Sequence, residues 1–213
     1  MVGTTAGDSN PLLGDLPAAA NVWLQRLRLP TVESRLGVRA VLGVYVLINS
    51  AICMAVLGAL AWLTQQPFVF PSLGPTAFIV FFAALNLQAA PKNVVLGHLI
   101  GVIAGVIALL VFGLYGTAPD LELVSPARIG ACALCLSVTL AAMIWMGTPH
   151  APAGATTLIV GLGLLQTPSQ LTTLMGAVVL LCLIALGLNR LAGVPYPLWS
   201  VATASNTQTL GSS

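Results

Sequence analysis

His150-Ala151-Pro152-Ala153-Gly154-Ala155-Thr156 interrupts an otherwise apolar chain, and the way it is read decides the fold. It follows Gly147-Thr148-Pro149 and opens a short apolar segment, Gly154–Gln166. That segment has about 13 residues, about 20 Å of helix at 1.5 Å per residue. A helix needs about 20 apolar residues to cross about 30 Å of hydrocarbon, so this one cannot cross alone. A second stretch behaves in the same way. Pro67 to Leu73 is rich in proline and aromatics and leads into the short segment Gly74–Leu87. Gly74-Pro75-Thr76-Ala77-Phe78-Ile79-Val80 aligns with Gly154-Ala155-Thr156-Thr157-Leu158-Ile159-Val160 at a constant offset. Four longer apolar segments surround these two: Arg39–Leu63, Val94–Gly116, Ala127–Met146 and Leu171–Leu191. The order is long, short, long in each half, which reads as an internal duplication.

The composition names the solvent. The chain has 213 residues, 58% of them hydrophobic and 6% charged, and its mean hydropathy is +1.00. A water-soluble domain carries about 25% charged residues, so lipid must be the solvent for most of this one. We read residues 1–38 as an N-terminal tail, with an interfacial helix expected at Ala18–Leu29 and no secretory signal. Residues 39–192 form the transmembrane domain, with repeat one at 39–116 and repeat two at 127–192. Residues 193–213 form a C-terminal tail, in which Tyr196 and Trp199 are placed as headgroup anchors. The expected fold is an all-α membrane protein built as two three-segment inverted repeats, the second and fifth segments being half-helices. A formal net charge of +2 gives no reason to expect nucleic acid as a partner.

Loop charge does not decide whether the short segments cross or turn back. Six crossings place Lys92 on the same side as the N-terminus and Arg128 opposite; four crossings exchange the two. Geometry favours six. An extended lead-in of about six residues adds about 20 Å to a half-helix, whereas a re-entrant hairpin must return through very short links. Inverted repeats of this kind are common in secondary transporters.

Irregular backbone at membrane depth is tolerated where it is buried in protein or lines a wet cavity. The first N–H groups of each half-helix lack intrahelical partners and carry the positive end of the helix dipole. Two such ends meeting near the midplane would suit a small anion. The expected substrate-binding residues are Ser72, Gly74, Thr76, Lys92, Asn93, His98, His150, Pro152, Gly154 and Thr156. Ser72 is placed as a helix cap, the threonines as hydroxyl donors, the glycines as points of close backbone approach, and the histidines as proton relays or anion contacts. All five carboxylates fall in tails or in the loop around residues 117–125, which speaks against carboxylate-based coupling and against a metal cage. No metal, cofactor or catalytic residue is expected. Cys132 and Cys135 have metal-ligand spacing but no companion ligands, and read as buried small hydrophobes. Gly97, Gly101 and Gly105 form a small-residue stripe for close helix packing or for a homodimer, packing being favoured.

At these motifs the sequence resembles the HPP family of small integral membrane proteins, named for a His-Pro-Pro motif. The family pattern His-Pro-Pro-Ala-Gly-Ala-Thr stands here as His150-Ala151-Pro152-Ala153-Gly154-Ala155-Thr156, with Ala151 replacing the first proline. Ser72-Leu73-Gly74-Pro75-Thr76-Ala77, Pro91-Lys92-Asn93 with Gly97-His98, and Tyr196-Pro197 with Trp199 are also similar. The resemblance implies a bacterial or plastid membrane protein, usually described with about four spans. Plant and cyanobacterial members are associated with nitrite transport. The expected function is therefore a transporter or channel for a small monovalent anion, nitrite being the best single guess, in a bacterial inner membrane with the N-terminus cytoplasmic. A non-transporting assembly or regulatory subunit is the alternative, and a membrane-embedded histidine enzyme a weaker one.

Overall fold

The computed structural model describes residues 38–201, so the readings made for the N-terminal tail, its interfacial helix and the last twelve residues lie outside the described part. The apolar segments become α1 (Val38–Thr64), α2 (Leu73–Phe82), α3 (Pro91–Val111), α4 (Pro126–Trp145), α5 (Ala153–Gly161) and α6 (Pro168–Leu191). One 3-10 turn, Leu87–Ala89, lies between α2 and α3. No strand occurs among the described residues. Among the described residues, four helices, α1, α3, α4 and α6, are long and apolar enough to cross a membrane.

Local chemistry sets the boundaries. Pro91, Pro126 and Pro168 open their helices, where a missing N–H costs nothing. Ser125 and Thr167 cap α4 and α6 by accepting from the N–H groups of Arg128 and Gln170. The short helices are shorter than the sequence suggested, with 10 residues in α2 and 9 in α5. The Asn86 side chain accepts from Gln88 N–H and starts the 3-10 turn, so α2 does not run on to Leu87. Gly163, at φ 80°, takes the left-handed conformation that closes a helix, so α5 does not reach Gln166.

The contacts between helix ends fix the path of the chain. At one end, Tyr45 Oη donates to Asn189 Oδ1 (2.7 Å), Asn189 Nδ2 donates to Val80 O (3.0 Å), and Lys92 N–H donates to Trp199 O (2.8 Å). The start of α1, the end of α2, the start of α3 and the end of α6 therefore lie together. At the other end, Gln166 Oε1 accepts from Gly116 N–H (2.7 Å), Gln166 Nε2 donates to Thr117 O (2.7 Å), and Arg128 Nη2 reaches Ala118 O (3.4 Å). That collects the end of α3, the start of α4, the chain after α5 and the start of α6. The chain thus passes between the Lys92 end and the Arg128 end six times. Two passages combine an extended lead-in with a half-helix, and α2 and α5 point in opposite directions.

Burial is the reverse of a water-soluble bundle. On α1, Val41, Tyr45, Asn49, Cys53 and Leu57 face inward at a spacing of four, while Leu47 and Ile48 on the outer face are 68% and 52% exposed. Asn49, Thr76, His98, Thr139, Thr156 and Asn189 are all buried. Apolar outside and polar inside is the pattern of a chain solvated by lipid. Trp62 and Trp145 stand 75% and 82% exposed at helix ends, where an aromatic ring suits the headgroup region. Tyr196 departs from the expected anchor role. It is fully buried and donates its hydroxyl to Ala89 O, pinning the chain after α6 beneath the start of α3, whereas Trp199 is 52% exposed.

The glycine stripe faces inward onto α5. A Cβ at Gly101 would stand 2.6 Å from Thr157 Oγ1 and 2.9 Å from Ala153 O, so backbone would have to move to admit any side chain. Gly101→Val should lower the stability of the detergent-solubilised protein by about 2 kcal/mol or more, read as a fall in its thermal unfolding midpoint. An unchanged midpoint would mean that α5 does not pack here.

Candidate functional site

Four fully buried polar side chains meet where the two half-helices begin. Thr76 comes from the first turn of α2, His98 from α3, His150 from the lead-in to α5, and Thr156 from the first turn of α5. Thr76 Oγ1 lies 3.1 Å from His98 Nε2 and 3.3 Å from His150 Nε2. His98 Nδ1 lies 2.6 Å from Thr156 Oγ1. The two imidazole rings stand with centroids 5.0 Å apart. His98 is the eighth residue of α3, roughly 10 Å into the helix at 1.5 Å per residue. Both half-helices thus begin at one place inside the bundle and run outward from it to opposite ends.

The lead-in of the second half is anchored by the 3-10 turn. His150 Nδ1 lies 2.8 Å from Gln88 O, and Ala151 N–H donates to Gln88 Oε1 at 3.1 Å. Asn93 Nδ2 donates to Leu87 O at 2.7 Å, tying the turn to the start of α3. Ala151 is exposed, so the departure from the family's first proline does not disturb the buried cluster, and its N–H makes a bond that proline could not. On its other side the turn borders a pocket of about 300 Å³ lined by Leu87, Ala90, Lys92, Asn93, Gly147, Ser200 and Val201. Lys92 and Asn93 thus sit at the mouth of the Lys92 end and not at the histidine cluster. Thr148, beside Gly147, has a buried hydroxyl with no hydrogen-bond partner.

The remaining expected residues divide. Pro152 is buried at the head of α5 in helical conformation. Gly154 is buried with Leu136 Cδ1 3.4 Å from where its Cβ would be, so it packs on α4. Gly74 is exposed with open space around it and faces away from the cluster. Ser72 does not cap α2: at φ −70° and ψ −19° it is already helical, which turns its hydroxyl away from the free N–H groups. Its Oγ is buried without a partner, while its carbonyl lies 2.9 Å from Thr76 Oγ1.

The sequence marks Arg128 only as a loop charge. The structure buries it to 4% exposure in the first turn of α4, with Nη1 lacking any hydrogen-bond partner. The only signal in the sequence was its position two residues after Pro126 at a helix start, which does not reveal burial. Among the described residues no group of three or more His, Cys, Asp or Glu side chains could hold a metal.

No curated protein and no solved structure matches the chain significantly. The family model described as the HPP transmembrane region matches residues 37–197, from the first helix through the buried Tyr196, and this chain is an integral membrane protein of the HPP family.

Proposed function

We propose that the protein carries small monovalent anions across a membrane through the Thr76–His98–His150–Thr156 cluster, with nitrite the leading substrate. The observation that supports this most is the meeting of two oppositely directed half-helix starts at one buried polar cluster. Each start contributes the positive end of a helix dipole, and the cluster adds hydroxyl and imidazole donors. Lys92 at one end and Arg128 at the other supply positive charge along the route. The association of plant and cyanobacterial members of the family with nitrite favours an oxyanion of that size. The test is flux of nitrite, nitrate, chloride and formate into liposomes holding the purified protein. Saturable nitrite or nitrate flux is expected; folded protein with no flux of any anion would overturn the reading.

Orientation follows from charge. Arg39, Lys92 and Arg190 belong to one end of the bundle, while Arg128, Asp120 and Glu122 belong to the other. Lysine and arginine concentrate on the cytoplasmic side, so the Lys92 end and the N-terminus are placed there. With the native cysteines replaced, Lys92→Cys in intact cells should resist an impermeant thiol reagent and Asp120→Cys should react. The reverse pattern would reject six crossings with the N-terminus inside, and labelling of both from outside would mean that α3 does not cross.

A further inference from the structure

We infer that the same cluster binds one proton together with each anion, making the protein an electroneutral proton–anion symporter in which the Thr76 hydroxyl is the switch. This rests on the transport reading above. The geometry that carries it is the threefold neighbourhood of Thr76 Oγ1: Ser72 O at 2.9 Å, His98 Nε2 at 3.1 Å and His150 Nε2 at 3.3 Å.

With both rings neutral, the single Thr76 hydroxyl proton cannot serve all three neighbours. Gln88 O can only accept, so His150 Nδ1 carries a proton and His150 Nε2 is bare. Thr76 then donates either to Ser72 O, at 2.9 Å, or to the bare His150 Nε2, at 3.3 Å, and not to both. Having spent its one proton, Thr76 accepts from His98 Nε2–H. His98 Nδ1 is therefore bare and accepts from the Thr156 hydroxyl. When Thr76 gives its proton to His150, a single-file chain runs from Thr156 through His98 and Thr76 to His150 and the Gln88 carbonyl. In that state the Ser72 carbonyl keeps the Thr76 N–H at 3.4 Å but not the Thr76 hydroxyl.

One added proton completes the set. His150 becomes a double donor, its Nε2–H turns to Thr76, and the Thr76 hydroxyl rotates to Ser72 O. Thr76 then accepts from both imidazoles and donates once, which is the full capacity of a hydroxyl. All three short contacts are used only in this protonated state. The cluster is built with a seat for the proton.

Burial makes the coupling obligatory. The groups facing His150 are His98 on α3, Thr76 on α2, the Gln88 carbonyl of the 3-10 turn, and the Met143 side chain of α4 near Gly97. None is a carboxylate, and the carboxylates among the described residues, Asp120 and Glu122, are exposed in the loop before α4. An unpaired buried charge is strongly unfavourable, whether it is an imidazolium alone or an anion alone. Imidazolium and anion together form a neutral pair. The charge count gives one proton per monovalent anion, with both released on the other side.

The experiment uses the full chain in liposomes with nitrate as probe, because its conjugate acid is too strong to cross lipid unaided. Anion uptake and internal pH are followed together while potassium and valinomycin clamp the voltage. One proton should enter per nitrate, an inward proton gradient should drive nitrate uphill, and the clamped voltage should not change the rate. Nitrate flux that is voltage-driven, with no internal acidification, would overturn symport while leaving anion transport standing. No flux of any anion would overturn both. Thr76→Val should lose the proton movement and at least nine-tenths of the nitrate flux, and Thr76→Ser should restore both. A Thr76→Val protein, eluting as a single folded species, that still moves one proton per anion would refute the switch.

Discussion

His98→Leu should reduce anion flux about 100-fold or more while the protein still inserts and elutes as a folded species. His98 bridges the first turns of the two half-helices, because Thr76 and Thr156 both bond to it and not to each other. A leucine of similar size fills the space and donates nothing. Thr156 loses its acceptor and Thr76 loses a donor, both in a region with no exposed surface. A buried polar group left without its partner costs about 1–3 kcal/mol. On the proposed route the anion also loses a donor where the surroundings are fully buried. A rise of about 3 kcal/mol in the barrier corresponds to about a 100-fold loss of rate. Stability should fall as well, by about 2 kcal/mol on the same grounds, which a thermal shift measured beside the flux would show. Flux above one-tenth of the unaltered protein's would mean that the ion does not pass this cluster. His98→Gln offers a graded comparison, since its amide can both donate and accept, and it should fall between the two.

The fold was legible to the degree that it rests on local chemistry. Runs of apolar residues, prolines at helix starts and the caps at Ser125 and Thr167 act within a few residues, and all six segments form helices close to where the pattern puts them. The two short helices were legible for the same reason. The site was legible only as a set of chemically suitable residues. Thr76, His98 and Thr156 all belong to it, but the contact between Thr76 and His150 spans 74 residues and no local pattern encodes it. Gly74 and Gly154 aligned in sequence yet differ in surroundings, one exposed and one packed on Leu136, because α5 lies between α3 and α4 while α2 packs mainly on α1 and α6. Stretches that align in sequence need not share neighbours. Ser72 shows another limit: serine at a helix start suggests a cap, but the preceding Pro71 and the helical dihedrals at Ser72 bring the carbonyl, not the hydroxyl, into use. Tyr196 stood in a stretch that looks like an interfacial belt, and only the position of Ala89 shows that it is a buried pin.

Arg128→Met should make the protein more stable and a poorer transporter. A guanidinium buried to 4% exposure, with one terminal nitrogen unbonded and no carboxylate of the described residues paired with it, is unfavourable for folding. Its place in the first turn of α4 adds to that, since the positive end of a helix disfavours a cation by about 0.3–1 kcal/mol. The carbonyl end of α5, near Gly163, offsets part of the cost. Methionine keeps the length and flexibility of the side chain and removes the charge, so a gain of about 1–3 kcal/mol is expected, seen as a higher unfolding midpoint. Function should move the other way. Arg128 stands at the end of the bundle where α5 finishes, and its free Nη1 is a charge-assisted donor for an oxyanion entering or leaving there. Loss of that donor should raise the half-saturating nitrate concentration about tenfold, equivalent to about 1.4 kcal/mol of binding, with a smaller effect on the maximal rate. Arg128→Lys should keep part of the affinity, because the charge survives without the planar fork. A merely structural arginine would give the opposite signature, a less stable protein with unchanged half-saturation, and that result would remove Arg128 from the route.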